Sequence, residues 1–205
     1  MALKAEIIKK EQYKISKWSG GTTTQLAIYP KEAKYEERDF KWRLSSAEVN
    51  IEESTFTKLP EIHRIIMIIE GKLKLEHLGH HSCILYPFQQ DSFEGDWETK
   101  SWGKVRDFNL MFTDECKGKL DSAHINKNQD YFCLFPLKDK KFFQYTKAVY
   151  CVWGKINIKV SEEENYILES GDTILLNIKD KENMSIAIIG KEDSDIILMD
   201  ILVYK

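Results

Sequence analysis

The chain has 205 residues, 42% of them apolar and 12% aromatic, and thirty basic against thirty-three acidic residues leave a formal charge of -3. That is ample apolar material for one large or two small packed cores, which excludes a disordered chain. Both signs of charge are mixed along the sequence, so no nucleic-acid partner and no anionic membrane surface is expected.

The opening MALKAEIIKKEQYKISKW lacks the long apolar stretch of a signal peptide, and no apolar run approaches the ~20 residues that span a bilayer. The expectation is a cytoplasmic protein. WSGGTTTQ follows, rich in glycine and hydroxyls but without the lysine and spacing of a phosphate-binding loop. PKEAKYEERDF reads as a short helix or a long loop. FKWRLSSAEV has the composition of a buried strand, yet Arg43 stands in its middle and needs a partner. HRIIMIIEGKLKLEH is an apolar run, a Glu-Gly turn and then strict alternation from Lys72 to Glu76, the period of two of a half-exposed strand.

Cys83, Cys116, Cys133 and Cys151 lie far apart, so reduced thiols are expected rather than a zinc ribbon or a redox pair. PLKDKKFF reads as a solvated loop. AVYCVWGKINIKV then repeats the first hairpin about eighty residues later, with a glycine at Gly154 and alternation behind it. Ser170-Gly171-Asp172 turns the chain into another apolar run, and SIAIIG and DIILMDILVYK supply further strands. The predicted fold class is all-β: a bicupin of two jelly-roll units with little helix, divided as 1–125 and 126–205.

Residue strings sharpen this. WSGGTTTQLAIYP, FKWRLSSAEV, LPEIHRIIMIIEGKLKLEH, FEGDW and GKVRDFNLMF stand in the order and spacing of the HutD/Ves family, which the chain resembles. The likeness is strong from residue 18 to about 112, and beyond that it rests on the second hairpin and LESGDTILL. It implies a bicupin with a pocket in a family associated with histidine utilisation and with stress responses. It also implies that WSGGTTTQ forms part of the mouth of that pocket.

Parity locates a candidate site. In a strand alternate side chains share a face, so Arg43, Ser45 and Ala47 go together, as do Val105, Asp107, Asn109 and Met111. Arg64 goes with Ile66 and Ile68, and His63 falls on the opposite face beside Ile65 and Met67. The candidate ligand-binding set is therefore Arg43, Ser45, Arg64, Asp107 and Asn109, completed by Trp18, Thr24 and Phe93 from the segments of the resemblance. Two guanidiniums can grip a carboxylate while Ser and Asn add neutral hydrogen bonds. The arginines must be matched by Asp107, by Glu70 or by a bound anion, since an unpaired buried cation is costly. A structural Arg-Asp pair in a dry core is the plain alternative.

The metal-binding cupin pattern needs two histidines one residue apart on an early strand and a third on a distant one. This chain fails that test, since His77, His80 and His81 crowd beside Glu76 at a hairpin end that reads as a solvated tip. No metal and no cofactor is expected. The partner expected is a small anionic, carboxylate-bearing metabolite, possible homodimer formation aside, with a regulatory or sensing role. The alternatives are a cupin isomerase or hydrolase using Asp107 with His63 or Glu94, and a structural bicupin with a filled barrel.

Overall fold

The apolar-polar alternation of the sequence is realised as strand almost throughout. The computed structural model describes residues 3–135, 142–178 and 185–204, and among them there are nineteen strands and no α-helix. In chain order these are β1 (Leu3–Ile8), β2 (Lys14–Trp18), β3 (Gly21–Tyr29), β4 (Trp42–Val49), β5 (Glu53–Thr55), β6 (His63–Gly71) and β7 (Leu73–His77). Next come β8 (Ser82–Leu85), β9 (Gln90–Glu94), β10 (Thr99–Trp102), β11 (Val105–Phe112), β12 (Cys116–Ile125) and β13 (Asp130–Leu134). The last are β14 (Phe142–Trp153), β15 (Lys155–Lys159), β16 (Asn165–Glu169), β17 (Thr173–Ile178), β18 (Ser185–Gly190) and β19 (Ser194–Tyr204). The segment PKEAKYEERDF is a loop of turns, not a helix, and of PLKDKKFF residues 136–141 lie outside the described residues.

Two units result, residues 13–118 and residues 1–12 with 119–205. In the first, a six-stranded sheet in the order β2-β3-β4-β11-β6-β9 accompanies a four-stranded sheet β5-β10-β7-β8. In the second, a five-stranded sheet β1-β17-β14-β19-β12 accompanies a four-stranded sheet β13-β18-β15-β16. This division differs from a single cut after residue 125. Strand β1 pairs antiparallel with β17, from Leu3 opposite Ile178 to Ile8 opposite Thr173, and so builds the start of the chain into the C-terminal unit. A pairing across some 170 residues leaves no local trace in periodicity.

The two predicted hairpins do not form: β6 and β7 lie in different sheets, as do β14 and β15, so the turns at Gly71 and Gly154 carry the chain from one sheet of a unit to the other, and both turn on glycine. Gly71 has φ 88° and a Cβ there would lie 2.5 Å from the carbonyl of Lys104. Gly154 has φ 84° and a Cβ would lie 2.4 Å from the carbonyl of Asp193. Behind the first turn Leu73 and Leu75 are buried while Lys74 is exposed, and behind the second Ile156 and Ile158 are buried. Each fully buried Leu or Ile contributes roughly 1.5–3 kcal/mol, which sets the register of these strands. The first unit's core gathers Ile66, Ile68, Leu73, Leu75, Leu85, Phe93 and Val105.

Candidate ligand-binding site

Register brings the polar face of the six-stranded sheet together. Met111 of β11 lies opposite Arg43 of β4 on one side and opposite Arg64 of β6 on the other. The two arginines therefore flank one strand in a single row, with Cα atoms about 10 Å apart. The next row holds Ser45 and Asn109, and the one after it Ala47 and Asp107. This face opens on a cavity of about 380 Å³ in the unit of residues 13–118. That is room for one small metabolite.

The arginines are held by neutral groups. Arg43 Nε donates to Gln25 Oε1 at 2.9 Å and its Nη1 donates to Ser45 Oγ at 3.0 Å. Its guanidinium also lies over the Tyr35 ring, 4.3 Å from the centroid. Arg64 Nη2 donates to Asn109 Oδ1 at 3.1 Å, and its guanidinium rests on the rings of Phe56 and Phe93 at 4.8 and 5.1 Å. Asn109 passes the connection on, since its Nδ2 donates to Asp107 Oδ1 at 2.7 Å. Asp107 Oδ1 also accepts from the backbone N–H of Ala47 at 3.3 Å. Among the described residues no carboxylate oxygen comes within 4.0 Å of either guanidinium, and the buried Nε of Arg64 has no hydrogen-bond partner.

Burial acts on these charges in opposite directions. It lowers Arg64 to about 10, where Arg43 works with it and Tyr35 and Asp107 work against it, and it lowers Arg43 as well. Burial raises the carboxyl of Asp107 to about 6, against the pull of Arg64, the Ala47 N–H and Asn109. Both arginines stay cationic at neutral pH, only 4% and 7% exposed. Ring contacts of about 0.5–2 kcal/mol each soften that burden without neutralising it.

Of the residues singled out in the sequence, Arg43, Ser45, Arg64, Asp107, Asn109 and Trp18 border the cavity. Thr24 does not. It lies opposite Ile15 and Ser46, while its neighbour Thr23, opposite Ser16 and Ala47, takes the cavity position. Phe93 lies behind Arg64 in the core rather than on the wall. Glu70 is exposed and accepts from Arg106 at 3.3 Å, so it neutralises neither arginine. Tyr35 and Phe56 stand in irregular segments and Gln25 depends on the register of β3, so none of the three carries a local signal of where it points.

His63 faces away from Arg64, as parity requires. Its Nδ1 lies 2.9 Å from Glu94 Oε1 and its Nε2 2.6 Å from Asp114 Oδ1. Burial opposes its charge, but Asp114 and Glu94 outweigh it and raise the imidazole above its ordinary value. His63 and Glu94 thus form a group of their own, with no contact to Asp107 among the described residues, and the acid-base set of Asp107 with His63 or Glu94 is not assembled. No histidine borders the cavity, and two guanidiniums beside it do not suit a metal cation. His77 is not part of a solvated tip: continuing the alternation of Leu73 and Leu75, it is 2% exposed and packs on Phe93.

The geometry has relatives. A conserved protein of unknown function, PA5104 from Pseudomonas aeruginosa PAO1, superposes with TM-score 0.80 at 20% identity, covering 97% of this chain and 98% of that one. HutD from Pseudomonas fluorescens SBW25, in a formate condition, gives TM-score 0.72 at 21% identity over 98% and 100%. The bacterial pirin YhhW from Escherichia coli, in complex with nickel(II), gives 0.65 at 10% identity over 96% and 98%. At these identities the likeness establishes the cupin fold. No curated protein matches the sequence. The HutD family profile matches residues 10–194, and the chain belongs to the HutD family.

Proposed function

We propose that this HutD-family bicupin binds a small carboxylate-bearing metabolite between Arg43 and Arg64 and serves a regulatory or sensing role. One observation carries the reading: two buried guanidiniums border one cavity, and among the described residues neither has a carboxylate within ion-pair distance. Arg43 uses two side-chain hydrogen bonds and Arg64 one, out of the five N–H donors each possesses. Leaving such a charge unpaired in a closed core costs several kcal/mol, and a bound carboxylate removes that cost by bidentate hydrogen bonding. Asp107 stands by as a proton-dependent neighbour, and the aromatic rings of Tyr35, Phe56 and Trp18 favour a ligand with a flat or apolar body.

The family's association with histidine utilisation makes urocanate and a formylated glutamate the first acids to try. Calorimetric titration of both should give one site per chain. Arg43→Ala should abolish the heat of binding, while Lys72→Ala, exposed at the turn between β6 and β7, should leave it intact. Equal loss in the two variants would overturn the assignment, as would the absence of binding by any such acid.

A further inference from the structure

We propose that His77, His81 and Asp91 form a binding site for a divalent transition-metal ion of the zinc type, separate from the arginine cavity. Three donor side chains converge there: His77 from the end of β7, His81 from the turn after it and Asp91 from β9. His77 Nε2 lies 2.9 Å from Asp91 Oδ2, and His81 Nε2 lies 3.1 Å from each Asp91 oxygen. One ligand atom from each of the three lies within 4.8 Å of the others. A tetrahedral zinc ion keeps its ligand atoms about 3.3 Å apart, given metal–ligand distances of about 2.0–2.1 Å. A small opening of the group therefore seats the ion.

The surroundings are those of a built site. The His77 side chain is fully buried and that of Asp91 is 16% exposed, whereas His81 at 41% leaves a route of entry. The other ring nitrogen of His77, Nδ1, lies 2.8 Å from the hydroxyl of the buried Thr99, which itself lies 3.5 Å from the carbonyl of Trp97. With that hydroxyl turned to the carbonyl, Thr99 accepts the Nδ1 hydrogen and His77 presents its Nε2 lone pair to the ion. This is how outer groups commonly orient a metal-bound imidazole. The turn is closed by the His77 N–H donating to the His81 carbonyl at 2.8 Å, which holds the two rings on one side. His80 stacks flat on Trp97 at 3.7 Å, and the indole in turn edges His77 and His81, walling off the cluster.

Two imidazoles and a carboxylate suit zinc, nickel or copper rather than calcium or magnesium, and three protein donors leave a position for water. The ion would tie the β7–β8 turn to β9, whose Phe93 packs between His77 and Arg64. The competing state is a metal-free triad in which both rings carry a hydrogen on Nε2 and donate to Asp91.

The test is calorimetric titration of the chelator-stripped full chain with zinc(II), with elemental analysis after dialysis. One equivalent should bind. His81→Ala and Asp91→Asn should each weaken binding by about tenfold or more, while His124→Ala, a histidine paired with Asp195 elsewhere, should not. His81 is the preferred variant because it is exposed and its loss leaves the core intact, as a circular dichroism spectrum would check. Absence of stoichiometric uptake, or uptake indifferent to both His81→Ala and Asp91→Asn, would overturn the site in favour of the hydrogen-bonded triad. Neither result bears on binding of acids at Arg43.

Discussion

Each unit buries cations, and they are neutralised differently. In the C-terminal unit Lys147 of β14 stands directly opposite Asp200 of β19, and its Nζ lies 2.5 Å from the carboxylate. The Tyr145 hydroxyl donates to the same Asp200, and burial together with that anion pushes the phenol well above its ordinary value. In the unit of residues 13–118 the residue opposite both Arg43 and Arg64 is Met111, and Asp107 lies four residues further along β11. That places its Cα about 13 Å along the strand from the arginine row. The lesson is one of register: an acid in the same row closes the charge internally, and an acid two rows away leaves it open to a ligand.

The contrast can be broken at Asp200. Asp200→Ala strands a buried lysine and should destabilise the protein by about 3 kcal/mol in chemical denaturation. A loss under about 1 kcal/mol would mean that Lys147 finds water instead and that the pair is ornamental.

Asp107 should behave with the opposite sign. Its folded value of about 6 lies above the ordinary carboxylate value of 3.8, so the fold prefers the protonated form. Its contribution to stability is full at low pH and falls away as pH rises from about 4 to 6. Asp107→Asn should therefore stabilise the unliganded protein by about 2 kcal/mol at pH 7 and be neutral at pH 4. Ligand affinity should follow the same proton, strengthening by about tenfold from pH 7 to pH 5.5 in the natural protein and staying flat in Asp107→Asn. Destabilisation of Asp107→Asn at pH 7 would place the carboxylate in a true ion pair with Arg64.

The smallest effect sharpens the comparison between two aspartates. Burial pushes Asp172 up, but the Lys9 ammonium at 2.7 Å and the backbone N–H groups of Glu169 and Lys10 outweigh it and hold the carboxyl below its ordinary value. Stability from this group is present above pH 3.8 and is lost as pH falls through the lowered value. Lys9→Ala should cost about 1 kcal/mol near neutral pH and nothing in acid, where the carboxyl is protonated. Thermal unfolding followed from pH 7 down through the acid limb separates the cases, and a cost that does not change with pH would assign the loss to packing.

The fold was legible because its causes are local. Glycine at Gly71 and Gly154 and the alternation behind each mark two strand-turn-strand segments of one design, and both are found, but the strands flanking each turn pair with other strands rather than with each other, which periodicity could not tell. The polar face of FKWRLSSAEV was legible for the same reason, since parity alone puts Arg43 beside Ser45. The burial of His77 runs against the solvated tip expected from its place near a turn, although the alternation of Leu73 and Leu75 makes it the next inward position. What parity cannot supply is register between strands. Thr24 and Thr23 are indistinguishable in TTTQ until β3 is laid against β4, and Tyr35 reaches Arg43 from a loop with no period at all.

The residues by themselves determined an all-β chain, its two repeated strand-glycine-strand turns and which side chains share a face on each strand, because these follow from a period of two and from glycine's access to positive φ. Only the tertiary structure decided that β1 closes the distant unit and that Arg43 and Arg64 share a row without an acid. It alone also gathered His77, His81 and Asp91 at one point. These depend on which strands pair and in what register, and that is settled by the burial of whole faces rather than by any one segment.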